Sequence, residues 1–178
     1  MSDQPPAFMS ETSKHRDKTV QYCVGNGIDI GSGGDPVVPN AIQIDLPDEK
    51  FEYYNSGKKL DKSAWRGSGA DLPFKDNVCD FVYSSHLLED FFDWDPILRE
   101  WVRVLKPGGH LVILVPDKAR WNAAIRKGQP PNCEHRHESH VGELSQWCNR
   151  LGLTKIKDEF SKPNSEDYTI VFVAKKNA

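Results

Sequence analysis

Short apolar runs alternate with helix-like segments along this chain of 178 residues, and this alternation limits the folds open to it. The most apolar run is HLVILV at 110–115, and another, VCDFVYSS, occupies 78–85. Between them, apolar residues recur at spacings of three and four over 93–105, which predicts an amphipathic helix. Lys106-Pro107-Gly108-Gly109 predicts the end of that helix. Strand, crossover helix and strand in succession predict a parallel sheet and therefore an α/β fold.

The same patterns predict seven strands, at 25–30, at 41–46, ending in 69–74, at 78–85, 110–115, 153–160 and 168–174. Short helices are predicted at 13–24 and 141–151, and 47–68 has weak helix signals. The last two strands are separated only by the turn-rich SKPNSED, so they should pair antiparallel. The predicted fold is a doubly wound, mostly parallel seven-stranded sheet with one antiparallel strand near the C-terminus. We expect a flexible tail over 1–12 and one domain over 13–178.

Charge and composition exclude several classes of function. The formal net charge of −3 gives no reason to expect general nucleic-acid binding, which needs clustered Lys and Arg. No apolar run approaches the roughly 20 residues of a membrane span. The N-terminus is polar and has no signal-like apolar core, so we expect a cytoplasmic protein. Four cysteines without a CxxC pair are then expected to be free thiols. Nothing in the pattern indicates the oligomeric state.

A glycine-rich loop, Gly31-Ser32-Gly33-Gly34, follows the first predicted strand. In a sheet of this kind, ligands bind beyond the C-terminal strand ends, beside the first strand. Glycines there let the backbone approach a ligand, although the same residues also form ordinary turns. The dinucleotide fingerprint GxGxxG is broken, because its third glycine would fall at Pro36. This argues against the alternative of a nicotinamide-dependent oxidoreductase.

Acidic residues lie at three consecutive strand ends. Asp29, inside the first strand, suits a cationic ligand better than a pyrophosphate, and S-adenosylmethionine carries both an ammonium and a sulfonium group. Asp45 ends the second strand, where a carboxylate can accept hydrogen bonds from both hydroxyls of a ribose. Each could instead be a cap or turn residue, and for Asp71 alone that simpler interpretation is favoured. Together, the three acids favour a ligand.

Five segments together resemble the class I S-adenosylmethionine-dependent methyltransferases. They are GIDIGSGG (27–34), IQIDL (42–46), GADLPF (69–74), CDFVYSSHLLED (79–90) and LKPGGHLVILVPD (105–117). Their order and spacing are similar to the family's over roughly 27–117, most specifically in GADLPF followed by a strand and LKPGG. The nearest likeness is to small bacterial methyltransferases associated with surface-polysaccharide synthesis. The resemblance implies a Rossmann-like fold, S-adenosylmethionine as cofactor, and a small-molecule or glycan acceptor.

The resemblance also implies a role for each residue at the cofactor site. The methionine end would lie against Asp29, Gly31, Ser32 and Gly33, the ribose against Asp45 and Leu46, and the adenine against Asp71 and the backbone of Leu72. Ser84, Ser85 and His86 would line the pocket after the fourth strand.

The sequence departs from the family's pattern in the connection between the first and second strands. Gly34 and Asp45 are only 11 positions apart, so the usual helix between them should be very short or absent.

Histidines are the candidate bases, because an acceptor hydroxyl or amine must lose a proton and histidine titrates near neutrality. His86 follows the fourth strand, and His135 and His137 lie in the long segment 116–140. That segment could be a surface loop with incidental histidines, or it could bind the acceptor and supply the base. A metal site is disfavoured, because the spacing fits no standard zinc pattern. We therefore predict a methyltransferase that works by in-line displacement without a metal. The alternative is a non-catalytic cofactor-binding module, which would keep the same loop and acids.

Overall fold

The computed structural model describes residues 10–47 and 61–178. Its strands are β1 (Gly27–Ile30), β2 (Ile42–Asp45), β3 (Trp65–Arg66), β4 (Cys79–Ser85), β5 (Leu105–Pro116), β6 (Leu153–Phe160) and β7 (Thr169–Lys176). They form one seven-stranded sheet in the order β3-β2-β1-β4-β5-β7-β6. Strands β1 to β5 pair in parallel, and β7 runs antiparallel to both β5 and β6. The predicted fold class is confirmed.

The helices in the described residues are α1 (Glu11–Thr19), α2 (Trp94–Val104), α3 (Lys118–Arg126) and α4 (Cys148–Leu151). Single 3-10 turns occupy Val20–Tyr22, Leu88–Asp90 and Leu144–Trp147. Helix α1 begins two residues earlier than predicted, because the Ser10 side chain accepts a hydrogen bond from the Ser13 amide and caps it. The division into a tail over 1–12 and one domain stays a prediction, and most of the weakly helical segment 47–68 lies outside the described residues.

The two faces of the sheet are covered differently. On one face α2 inserts its apolar side, including Trp94 and Trp101, against β-strand residues such as Ile28 and Ile30. On the other face, Phe81 and Tyr83 pack under Cys23 and under residues of the loop after β1. That loop, 31–41, contains no helix, which confirms that the usual first crossover helix is absent.

Strand β5 and segment 116–140 differ from the sequence-based expectation. Strand β5 begins at Leu105, so LKPGG is the irregular start of the strand as well as the end of α2. Its register against β4 shifts from Cys79 opposite Leu105 to Phe81 opposite His110, which accommodates the extra residues as a bulge. Segment 116–140 was expected to be a long loop, but α3 occupies its first half. Only Trp121 of α3 is buried, so the helix has little of the apolar periodicity that would predict it.

Within the described ranges, no helix is long and apolar enough to cross a bilayer. All four cysteines lie in those ranges and are free thiols.

Candidate functional site

The loop after β1 is bent by glycines at the C-terminal edge of the sheet. Gly31, Gly33 and Gly34 have φ values of 74°, 59° and 78°, a region that side chains disfavour. A Cβ on Gly31 would lie 2.9 Å from Cδ2 of Leu87, so a larger residue would fill the space beside the loop. Ser32 is buried and donates a hydrogen bond to Gln43 Oε1 at 3.0 Å. The loop therefore presents backbone, not side chains, to its surroundings.

Asp29 is fully buried at the end of β1, just before this loop. Its Oδ2 accepts a hydrogen bond from the Val37 amide at 2.7 Å, while Oδ1 has no hydrogen-bond partner among the described residues. Burial raises the pKa of this carboxyl group to about 8, and the nearby charges of Asp45 and Asp35 act in the same direction. A buried acid with a spare oxygen would be stabilised as a carboxylate by a cationic ligand.

Asp45 lies at the end of β2 and closes the glycine loop. Its Oδ2 accepts from the Gly33 amide and its Oδ1 from the Leu46 amide, both at 2.9 Å. Burial raises its pKa, against the effect of these two hydrogen bonds. Each carboxylate oxygen can accept more than one hydrogen bond, so both could still receive a hydroxyl.

A small cavity of about 110 Å³ lies beside Asp45 at the ends of β1, β2 and β3. Its lining residues are Ile30, Gly31, Ile44, Asp45, Leu46, Gly67, Ser68, Gly69, Leu87 and Phe91. Of these ten residues, sequence reasoning had named Gly31, Asp45 and Leu46 as site residues and missed the other seven. For Gly69 the sequence offered a signal, because it is the glycine of the GADLPF motif. The structure shows why a glycine fits there: a Cβ would lie 2.8 Å from Cγ2 of Ile30.

Neither of the two residues expected to contact adenine, Asp71 and Leu72, lines the cavity beside Asp45. Asp71 is exposed and is not among the residues that line this cavity. Leu72 is buried, and its amide donates to Glu100 Oε1 of α2 at 2.8 Å, so this N–H already has a partner. Their contact with adenine stays a prediction.

Ser84 and Ser85, at the end of β4, differ in availability. Ser84 Oγ donates to the Ile30 carbonyl at 3.0 Å and so ties β4 to β1. Ser85 is also buried, but its Oγ has no hydrogen-bond partner within residues 10–47 and 61–178. Ser84 is therefore committed to the sheet, whereas the polar neighbour of Ser85 is the hydroxyl of Tyr83.

Two of the three candidate histidines meet at one buried carboxylate, Glu89. His86 Nδ1 and His135 Nε2 lie 3.5 Å and 3.6 Å from the same oxygen, Glu89 Oε1. His86 has a φ of 53°, an uncommon backbone conformation for a residue with a side chain. Its Nε2 lies 3.2 Å from Thr169 Oγ1 at the start of β7. Local strain of this kind is frequent at functional sites.

The surroundings shift the pKa values of His86 and His135 in opposite directions. Burial disfavours the charge on His86, but the close carboxylate of Glu89, with the charge of Glu11, outweighs it and raises the pKa. Burial lowers the pKa of His135, and the charges of His86 and Lys118 add to that effect against Glu89. Glu89 and Glu11 were not singled out from the sequence, because the residues facing them come from distant segments.

His137 has other partners. Its ring stacks on Trp94 with centroids 4.0 Å apart, and its Nε2 lies 2.6 Å from Glu143 Oε1. The structure therefore does not bring its imidazole to Glu89, and its catalytic role stays a prediction that this geometry does not favour.

A second cavity of about 220 Å³ opens beside His135, beyond the end of β5. Trp121 of α3 and Lys118 contribute to its wall, and Trp121 contacts the His135 ring with centroids 5.1 Å apart. The cavity combines an aromatic surface with polar groups. Among the described residues, no cluster of three or more His, Cys, Asp or Glu side chains is arranged to hold a metal ion.

The residues at the glycine loop fit S-adenosylmethionine. Asp29 offers an unpartnered, buried oxygen to an ammonium group, and Asp45 has acceptors left for the two ribose hydroxyls. Gly31 lines the cavity beside Asp45, so a ligand there would meet backbone and no side chain at this position. The cavity beside Asp45 is lined mainly by apolar side chains and glycines, which suits part of a heterocycle.

Comparison with known proteins supports this assignment. Residues 25–113, half of the chain, match the family model described as a methyltransferase domain. A demethylmenaquinone methyltransferase of Corynebacterium glutamicum is 43% identical over 58 residues, which are 33% of this chain and 25% of that protein. This chain thus matches about a quarter of the length of that relative.

Solved structures share the fold over most of the chain. A putative methyltransferase from Bacillus halodurans superimposes with a TM-score of 0.67 and 15% identity, over 93% of this chain and all of that one. A SAM-dependent methyltransferase from Thermotoga maritima, described as a possible histamine N-methyltransferase, gives 0.67 and 19% identity over 92% and 89%. The broken dinucleotide fingerprint and the match to the methyltransferase-domain model argue against the nicotinamide alternative. The chain belongs to the methyltransferase-domain family, and its predicted place among the class I S-adenosylmethionine-dependent methyltransferases is confirmed.

Proposed function

We propose that this chain transfers a methyl group from S-adenosylmethionine to a hydroxyl-bearing small molecule. The observation that carries the proposal is the adjacency of two sites at one sheet edge. Ser84 pairs with Ile30 and Leu87 packs at Gly31, so His86 lies between residues that touch the cofactor loop. His86 also belongs to the cluster formed by Glu89, His86 and His135, and the second cavity lies beside His135. The strand ends with the cofactor acids are therefore adjacent in the sheet to the strand end that leads to His86.

The roles of the residues follow from their contacts. Asp29 would bind the ammonium of the cofactor, Asp45 the ribose hydroxyls, and the backbone of Gly31 to Gly33 the methionine end. When bound, S-adenosylmethionine supplies a methyl group activated by the positive sulfur. The rest of the task is alignment, because in-line displacement depends on holding the acceptor oxygen opposite the leaving atom. His135 would take the proton of the acceptor hydroxyl.

The cavity beside His135 supports an aromatic acceptor. Trp121 offers an aromatic surface, and the curated relative from Corynebacterium glutamicum is named for demethylmenaquinone. A glycan is the other acceptor class predicted from the sequence, and Trp121 could equally pack against a sugar ring.

The free thiols agree with the proposal that the protein is cytoplasmic.

Calorimetry and a methyl-transfer assay test the proposal in sequence. The chain should bind S-adenosylhomocysteine and show no heat with NAD, and Gly31→Val should abolish binding while the protein stays folded. Transfer of radiolabel from S-adenosylmethionine should then be measured with reduced demethylmenaquinone and with simple hexoses. Label on a quinol oxygen would support transfer to an aromatic hydroxyl, label on a ring carbon would replace the oxygen with carbon as the methylated atom, and labelled hexose would replace the aromatic acceptor with the glycan. S-adenosylhomocysteine binding without transfer to either probe would favour the non-catalytic module, and heat from NAD alone would reject the proposal.

A further inference from the structure

Glu89 is a buried carboxylate whose charge is not balanced by ordinary hydrogen bonds. It has no exposed surface, and neither Oε1 nor Oε2 has a hydrogen-bond partner among the described residues. Its main-chain carbonyl accepts from the amides of Arg136 and His137, at 2.8 and 2.9 Å, which fixes the residue against the loop after α3. An isolated buried carboxylate is costly, so a positive charge close to it is needed.

The groups that face Glu89 come from several elements of the fold. They are His86 after β4, His135 in the loop after α3, Asp90 beside Glu89, Tyr168 before β7, and, around His86, Glu11 and Lys14 of α1. Glu134 and Arg136 act on Asp90 with opposite charges. Lys118 of α3 acts on His135. Because the other acidic neighbours carry charge of the same sign, the imidazoles are the nearest groups able to balance Glu89.

We infer that Glu89 is a positioning residue that holds His86 and His135 on one carboxylate and gives them different roles. His86 is its charged partner, and His135 is the neutral proton acceptor. This inference rests on the proposed methyl transfer, and it assigns the base within that site.

The asymmetry of the two imidazoles supports this division. His86 lies between two carboxylates, Glu89 at 3.5 Å and Glu11 at 3.8 Å, and its pKa is raised. His135 has Glu89 alone at ion-pair distance and lies close enough to His86 for that charge to help lower its pKa. Two imidazolium ions beside one carboxylate would repel each other, so protonation of His86 keeps His135 neutral.

The geometry also selects the atom of His135 that accepts the proton. Its Nε2 faces Glu89, so the neutral ring keeps its hydrogen on Nε2 and its lone pair on Nδ1. The proton of the acceptor hydroxyl would move to Nδ1, and the freed electron pair of the oxygen would form a bond to the methyl carbon. The bond from that carbon to the positive sulfur would break, and its electron pair would leave with the sulfur as uncharged S-adenosylhomocysteine. Glu89 then stabilises the resulting imidazolium without taking a proton itself.

NMR titration of the histidine ring protons tests the inference without an acceptor. In Glu89→Gln the midpoint of His86 should fall by about one unit or more, since an opposite charge at this distance commonly shifts a pKa by that amount. Glu89→Asp, which keeps the charge, should restore part of the shift. Glu143→Gln is the matched control, because Glu143 contacts His137, and it should leave His86 and His135 unchanged.

A second variant keeps the test informative if Glu89→Gln does not fold. In His86→Gln the midpoint of His135 should rise, because the neighbouring cation is gone and Glu89 remains. Unchanged titration of His86 in folded Glu89→Gln, or of His135 in His86→Gln, would overturn the inference. So would metal that copurifies with the wild-type chain and is lost in Glu89→Gln. Calorimetry with S-adenosylhomocysteine separates the two proposals: failure of the wild type to bind rejects the function, whereas normal binding with unshifted titrations rejects only the role of Glu89.

Discussion

Asp29 connects cofactor binding to pH through a single carboxyl group. Its pKa is raised by burial from 3.8 to about 8, so at neutral pH the free folded protein holds a proton there that the unfolded chain has lost. The free energy of unfolding of the free protein should therefore fall as pH rises from about 4 to about 8. Asp29→Asn should remove this part of the pH dependence.

Cofactor binding should release that proton. If the ammonium group of S-adenosylhomocysteine binds at Asp29, the carboxyl group ionises, and close to one proton should leave at pH 7. Calorimetry in two buffers of different ionisation enthalpy measures this number directly. Asp29→Asn should bind more weakly and release no proton. Equal proton release by the wild type and by Asp29→Asn would place the ammonium elsewhere.

At the scale of elements, α2 both fills the core and holds the GADLPF loop. Trp101 is completely buried, and its Nε1 donates to the Gly69 carbonyl at 2.8 Å. Two residues later, Arg103 donates to the Leu72 carbonyl at 3.2 Å. The amphipathic pattern of α2 predicted its apolar face, but these polar contacts reach residues about 30 positions earlier in the chain. Spacing along the helix contains no information about them.

Trp101→Phe should therefore weaken both stability and cofactor binding. Loss of the hydrogen bond and of part of the ring should lower the free energy of unfolding by about 1–3 kcal/mol, measured by urea denaturation. Release of Gly69 from Trp101 should also weaken S-adenosylhomocysteine binding. Trp147→Phe, in the half-buried 3-10 turn before α4, is the control and should leave binding unchanged. Wild-type affinity in folded Trp101→Phe would show that α2 does not position this loop.

At the scale of the whole molecule, α1 is tied to the loop that replaces the missing crossover helix. The carboxylate of Asp35 accepts hydrogen bonds from Ser10, Ser13 and Arg16. Burial disfavours its charge, but these donors outweigh that effect and lower its pKa. This stabilisation is present above the ordinary pKa of 3.8 and is lost as pH falls through the lower folded value. The first residues described in the chain thus support the cofactor loop.

Asp35→Asn should loosen α1 and the glycine loop together. Because the site is about one third exposed, solvent screening limits the expected loss of unfolding free energy to about 1–2 kcal/mol. Protection of the α1 amides from hydrogen exchange should fall in the same variant. Glu166→Gln removes an exposed ion pair with Lys127 and should change neither quantity. Unaltered exchange in Asp35→Asn would mean that apolar packing, not this carboxylate, holds α1 in place.

The amino-acid sequence by itself determined the sheet and its cofactor edge. Apolar runs and helical periodicity are local patterns, so α2 and six of the seven strands could be predicted from neighbouring residues. The prediction of a third strand ending in 69–74 was wrong, because β3 is only Trp65–Arg66 and two residues are too short to leave a pattern. The glycine loop with Asp29 and Asp45 could also be predicted, because each of these lies at or next to the C-terminal end of a predicted strand. The weak pattern of α3, with only Trp121 buried, left that helix undetected.

Only the tertiary structure decided which side chains meet. His86 and His135 are far apart in the chain and come together at Glu89 because α3 and its following loop fold back over the end of β4. His137, two residues away, turns instead to Trp94 and Glu143. Burial then sets the protonation of each group, and burial depends on the whole packed fold. A sequence pattern records which groups are present, whereas their pairing and charge arise from long-range contacts that have no local signal.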